Sequence, residues 1–177
     1  MNVQQIELDN LTLKNFTPED VTQDYINWLN DSEINKYLEV RHSLIDLSYQ
    51  KEYVRQVNES DDCVLFGIVT KNGELIGSTK VGPINRIHGT TTIGIMIGSK
   101  EKHGLGYGSE VINGICNYVR DNFDIRKINA GAYSENISSL KVFYKCGFVV
   151  EGRRVKQLKG PDGLYHDEML LGRVLIQ

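Results

Sequence analysis

Lys102-His103-Gly104-Leu105-Gly106-Tyr107-Gly108-Ser109-Glu110 puts three alternating glycines where a strand gives way to a helix. Glycine lets the backbone turn sharply and approach a ligand, and the N–H groups at a helix start favour phosphate oxygens. The chemistry on offer is a pyrophosphate cradle. An NTPase phosphate loop needs Gly-Lys followed by Ser or Thr, and no lysine lies between Gly104 and Ser109. A dinucleotide fingerprint needs glycine where Ser109 stands and should open a parallel sheet. Asp124 does follow about twenty residues on, so this fingerprint stands as the runner-up.

The elements that must hold this loop follow from caps and periodicity. Thr17-Pro18-Glu19-Asp20 offers a cap, a proline suited to the first helical position and two acids at the positive end of the dipole. It predicts a helix over 18–30, and Asp31-Ser32-Glu33 ahead of Ile34, Tyr37 and Leu38 predicts a shorter one after it. Tyr49, Tyr53, Val54 and Val57 recur at helical spacing over 48–58. β-Branched runs come next: 64–70, the turn pair Asn72-Gly73 and 75–81 read as a hairpin, and 90–97 as a further strand. After the glycine loop, a helix over 109–122 presents Val111, Ile112, Ile115, Tyr118 and Val119 on one face. A strand over 127–133, a helix over 138–146 ended by Gly147, and strands over 149–159 and 165–175 about the turn Gly160-Pro161-Asp162-Gly163 complete the chain. This order describes one α+β domain over 1–177, with a mixed, mainly antiparallel sheet flanked by helices.

The 177 residues carry a net charge of -3 with no block of Lys or Arg, so a nucleic acid or an anionic membrane surface is not the expected partner. No apolar run approaches the roughly 20 residues that span a bilayer. Residues 1–10 lack the basic and then apolar pattern of a secretory signal, so a cytoplasmic location is expected. Cys63, Cys116 and Cys146 lack paired spacing and read as reduced core thiols. The histidines, His42, His88, His103 and His166, are too dispersed to predict a metal site.

The run His103-Gly104-Leu105-Gly106-Tyr107-Gly108 resembles the acetyl-CoA loop of the GNAT superfamily of N-acetyltransferases, with His103 in place of the usual Gln or Arg. Asn136-Ile137-Ser138-Ser139-Leu140-Lys141-Val142-Phe143-Tyr144-Lys145-Cys146-Gly147-Phe148 looks like the family's strand-end Asn, the helix beside the pantetheine arm and its terminal Gly-Phe. The likeness continues through Glu151-Gly152-Arg153-Arg154 and Asp162-Gly163-Leu164-Tyr165-His166-Asp167, as in the branch that includes spermidine and ribosomal-protein N-acetyltransferases. It implies a GNAT-like fold and acetyl-CoA as cosubstrate. His103, Gly104, Leu105, Gly106, Tyr107, Gly108 and Ser109 would hold the pyrophosphate. Backbone groups of Ile95, Met96 and Ile97 would meet the pantetheine amides, and Asn136, Ser139 and Phe143 would flank the cofactor arm.

The implied reaction is direct attack of a neutral primary amine on the thioester, which requires a base for the ammonium proton and an acid for the thiolate. The family's acid is commonly a tyrosine four residues before the glycine of Gly-Phe. Phe143 stands there, and Tyr144 lies about 100° further round the helix, so the acid falls to Tyr144, Ser139 or water. The family's base is commonly a glutamate just before the glycine found here as Gly94. Thr92 and Ile93 occupy that neighbourhood, which leaves His88, Glu39 or ordered water. The segment from Trp28 to Arg41 matches the variable substrate side and looks like acetyltransferases of nucleotide-linked amino sugars. Arg41 would meet the diphosphate, Trp28 or Tyr37 would stack on base or sugar, and Glu39 would complete the set. A polyamine bound by Asp31, Glu33 and Glu39, a protein N-terminus, and a CoA-binding module without turnover are the alternatives. The partner expected is a small-molecule amine, and exposed sheet edges would support a homodimer.

Overall fold

The run Val64-Leu65-Phe66-Gly67-Ile68-Val69 is apolar throughout because both faces of its strand are covered. Leu65 joins a cluster with Phe16, Tyr25, Ile26, Leu29, Val54 and Met96, whereas Phe66 and Ile68 join Leu11, Leu13, Ile76, Val111, Ile112 and Ile115 on the opposite side. The computed structural model describes residues 5–175. Its strands are β1 (Ile6–Glu7), β2 (Leu11–Asn15), β3 (Val64–Thr70), β4 (Leu75–Val81), β5 (Thr90–Ile97), β6 (Lys127–Tyr133), β7 (Val149–Lys159) and β8 (Tyr165–Val174). They form one sheet in the order β1-β2-β3-β4-β5-β6-β8-β7, antiparallel except between β5 and β6. Helices α1 (Gln23–Asn30) and α2 (Leu47–Glu59) cover one face, and α3 (Tyr107–Phe123) and α4 (Ile137–Lys145) the other. This is the mixed, mainly antiparallel α+β arrangement expected from the order of elements.

The N-terminal third departs from expectation. Thr17 and Asp20 do form a reciprocal capping pair, but it closes only a 3-10 turn, Pro18–Asp20. The α-helix begins afterwards, where Thr22 accepts from the Tyr25 N–H at 3.3 Å. The shorter helix predicted beyond Asp31 is instead two 3-10 turns, Asn35–Tyr37 and Glu39–His42. Asp31 explains the difference: its carboxylate accepts from the Glu33 N–H at 2.8 Å and pairs with Lys100, and such local bonds compete with helix propagation. Strands β1 and β2 were not among the expected elements.

Cys116 and Cys146 are buried, Cys63 is half-buried, and all three are unpaired. Burial pushes the Cys116 thiol up to about 11, so it stays protonated and unreactive near neutral pH. Among the described residues no helix is long and apolar enough to cross a membrane, and no cluster of His, Cys, Asp and Glu is arranged to hold a metal.

Candidate active site

β5 is paired with β4 along Ile93 to Ile97, but its parallel pairing with β6 covers only Thr90 to Thr92. Beyond Thr92 the two strands diverge, and the β6-facing edge of β5 opens into a cleft of about 260 Å³. Gly94 and Ile95 form one wall. Ala132 and Tyr133 form another, and Asn136, Ser139 and Phe143 of the α4 segment form the floor. Asn136 is held there by its own cap, its side-chain oxygen accepting from the Ser139 N–H at 3.2 Å. Phe143 is 3% exposed and tilts against Phe148, which fixes its ring.

At the C-terminal end of β5 the glycine loop runs into α3. Gly104 and Gly106 have φ of 77° and 87°, the left-handed region that side chains disfavour, and a Cβ on either would meet nothing within 4 Å. Their backbone is thus strained for any other residue and borders open space, the two properties a phosphate cradle requires. Gly106 is the N-cap of α3 and offers no capping side chain, so the amides of Tyr107 and Gly108 at the helix start are left without a side-chain cap, while the Ser109 N–H donates to the Gly106 carbonyl at 3.0 Å. His103 turns its ring back, with Nε2 2.8 Å from the Ile97 carbonyl oxygen. It therefore braces the loop against β5 while the backbone does the facing, which accounts for a histidine at this position. Leu105 is exposed, whereas Tyr107 packs on the core below α3.

On the α1 and α2 side of the same strands lies a second cavity, of about 430 Å³. Tyrosines 25, 49 and 53, Gln50, Ser78 and Lys80 bring polar groups to a lining that is otherwise mostly aliphatic. Tyr25 and Ser78 share a hydrogen bond of 2.9 Å, and burial pushes the Tyr25 hydroxyl up to about 12, so it remains a neutral phenol. The two cavities share Leu38, Glu39, Gly94 and Ile95 as lining residues. They are therefore neighbours across β5, with Glu39 at their junction.

Tyr133 organises that junction. Its hydroxyl accepts from Arg41 Nη2 at 2.8 Å, and its single proton faces both Glu39 Oε1 and the Lys159 carbonyl, each at 3.2 Å. Burial raises the Tyr133 pKa, against the lowering pull of Arg41. Arg41 also donates to the carbonyls of Lys36 and Lys159 and lies over the Tyr133 ring at 5.0 Å. Its guanidinium thus ties the 3-10 turns to the β7–β8 hairpin instead of standing clear for a diphosphate. Tyr37 packs on Tyr133 with ring centroids 5.4 Å apart and lines the cleft.

Several expected residues stand elsewhere. Trp28 packs beneath Gly98, where an added Cβ would fall 2.2 Å from its ring, and meets Tyr25 edge-on, so this half-buried ring is engaged against the core cluster and lines neither cavity. His88 sits in the turn before β5 and lines neither cavity; its amide bonds Asn85 and its carbonyl accepts from Arg126. Gly94 lies six residues further on, most of them along the extended β5, so His88 stands apart from it. Tyr144 is 45% exposed and absent from both linings, as the 100° offset from Phe143 requires. Asp31 and Glu33 are paired with Lys100 outside both cavities, so they do not join Glu39 in an acidic cluster. The lining residues not anticipated include Tyr25, Tyr53, Ser78 and Lys80 in the second cavity and Tyr133 and Glu168 in the cleft. Only Tyr133, at a strand end just before Asn136, carried a local signal.

The family model described as acetyltransferase (GNAT) domain matches residues 10–149. The "Uncharacterized N-acetyltransferase p20" of Bacillus licheniformis is 26% identical over 158 residues, 86% of this chain and 87% of that protein. The spermidine N-acetyltransferase from Vibrio cholerae, solved in complex with CoA and spermine, superposes with a TM-score of 0.84 at 23% identity, covering 94% of this chain and 96% of that one. Ribosomal-protein-S5-alanine acetyltransferase from Vibrio fischeri gives 0.84 at 21% identity, covering 97% of each chain. Both structural likenesses concern the fold. The diverging β5 and β6, the glycine loop beside them and a family match over most of the sequence lead to one conclusion: the chain belongs to the acetyltransferase (GNAT) family.

Proposed function

We propose that the chain works as a single acetyl-CoA-dependent N-acetyltransferase domain, with the cofactor arm in the β5–β6 cleft and a primary amine in the tyrosine-lined cavity. The observation that carries this reading is that the two cavities adjoin at Gly94 and Ile95, with Glu39 lining both. When bound, acetyl-CoA supplies an activated acetyl group; the protein's part is to orient it, deliver a neutral amine and handle one proton. The β6-facing edge of β5 offers backbone groups to the pantetheine amides, and the amides at the start of α3 face the pyrophosphate. Glu39 takes the proton released from nitrogen as the C–N bond forms. Ser139 hydrogen-bonds the sulfur as the C–S bond breaks, and the proton ends on the thiol. Tyr133 orients Glu39 through its hydroxyl.

The nucleotide-linked amino sugar expected from the segment around Arg41 loses its main support, since Arg41 is engaged with Tyr133, Lys36 and Lys159. A polyamine would meet one lining carboxylate, Glu39, and one repelling cation, Lys80. The test is calorimetric titration with acetyl-CoA, NAD and ATP, followed by thiol release in the presence of amines. Binding of acetyl-CoA alone, with amine-dependent thiol release, is expected. Binding without release across the amines would make the chain a CoA-binding module, and NAD binding alone would overturn the reading.

A further inference from the structure

Among the residues lining the acceptor cavity, Glu39 and Lys80 are the only charged ones. The two charges offset one another formally, but Glu39 stands at the junction with the cofactor cleft, where a base is needed, which leaves Lys80 as the charged group available to hold the rest of an acceptor. Lys80 lies on β4 directly across from Gly94 on β5, next to that junction. Its Nζ donates to the Tyr53 hydroxyl at 3.3 Å and lies 5.5 Å from that ring's centroid; among the described residues no ion-pair partner holds it. Asp62 feels Lys80 only as the smallest influence on its carboxyl, which is bonded first to Ser60. A half-buried ammonium facing an apolar cavity favours a ligand that brings the countercharge. One lysine suits a monoanion, whereas a phosphate dianion calls for further cations or a helix start.

Resting on the acetyltransferase reading above, we propose that the acceptor is a compact apolar primary amine bearing a carboxylate, an amino-acid-like molecule. Its carboxylate pairs with Lys80 while its amine points past Gly94 to the thioester. The cavity's size is that of a small ligand, and its tyrosine and aliphatic walls fit an apolar side chain. Lys80 is then a specificity-determining residue, and it opposes polycationic acceptors.

The test compares matched acceptors by thiol release: L-phenylalanine with phenethylamine, L-leucine with isopentylamine, and spermidine and phosphoethanolamine as further arms. The amino acids are expected to exceed their decarboxylated partners in kcat/KM by about 10-fold, the worth of one charge-assisted bond. Lys80→Gln should erase that preference chiefly through KM, while Lys80→Arg should retain it. Calorimetry with phenylacetate should show binding to the wild type and none to Lys80→Gln. Preference for the decarboxylated amines, spermidine or phosphoethanolamine overturns the inference. So does an unchanged preference in Lys80→Gln, or no release with either amino acid although acetyl-CoA binds. Failure to bind acetyl-CoA overturns the underlying reading itself.

Discussion

Gly106→Ala separates loop conformation from everything else that affects binding. Gly106 has φ of 87° and a Cβ there would touch nothing within 4 Å, so alanine adds backbone strain and no clash. That strain is about 1–2 kcal/mol for an L-residue in the left-handed region. Gly73, in the β3–β4 turn, has φ of 84° and is equally open, which makes it a matched control remote from both cavities. The two positions should respond differently. Gly73 is tied into its hairpin, its N–H donating to the Thr70 carbonyl while Thr70 donates to Glu74, so it cannot relax and the strain falls on global stability. For Gly73→Ala a melting temperature about 2–8 °C lower, with unchanged affinity for acetyl-CoA, is expected. At Gly106 rotation about φ shifts only the exposed Gly104 and Leu105, between the braced His103 and the start of α3, so the free protein relieves the strain by moving that part of the cradle. Binding must then restore the strained form, which raises Kd for acetyl-CoA about 5–30-fold with little change in melting temperature. Calorimetric titration and thermal denaturation of both variants decide the matter. Native affinity in Gly106→Ala, or equal weakening in both, would refute the assignment of residues 103–109 to the cofactor.

Ser139→Ala should lower kcat by about 100-fold if its hydroxyl serves the leaving sulfur, whereas Tyr144→Phe, on the exposed side of α4, should leave kcat at the wild-type level; steady-state thiol release measures both. Gly98→Ala drives a methyl into the Trp28 ring and should cost about 1–3 kcal/mol, read as a lower melting temperature. His166 is bonded through Nε2 to Asp162 at 2.9 Å and through Nδ1 to Glu135 at 3.1 Å, and these partners raise its pKa above the ordinary 6.5. A raised pKa means that folding favours the protonated ring, so its stabilisation is complete below pH 6.5 and fades as pH climbs through the raised value. The melting-temperature gap between wild type and His166→Gln should therefore narrow with rising pH; a gap constant across that window would contradict this account.

The shapes of the glycine loop and of the α4 start were legible in the sequence because their information is local. Gly104 and Gly106 encode a backbone shape, and Asn136 with Ser139 encodes a helix cap, each within a few residues. The strands from β3 to β8 were legible for the same reason, with Asn72-Gly73 and 160–163 marking the reversals. The acceptor side is assembled from distant parts: Tyr25 meets Ser78, Lys80 meets Tyr53, and Arg41 reaches Lys159. No spacing rule links such pairs. Arg41 and Trp28 illustrate the cost, since residue type suggested ligand contacts while the fold had already assigned both to the protein's own packing. Strands β1 and β2 are short, and the partner strand β3 lies about fifty residues away in sequence, so alternation over Leu11 and Leu13 was too brief a signal.

The short seam between β5 and β6 has a consequence for how this molecule avoids sticking to others. A strand with an open row of amides and carbonyls is a template for a foreign strand, and proteins usually blunt such edges at their periphery. Here the open row, Ile93 to Ile97, lies in the middle of the sheet, roofed by Tyr37 and Tyr133 on one side and floored by α4 on the other. The fold thus keeps an unpaired sheet edge in its interior, between elements of its own chain, instead of at the periphery.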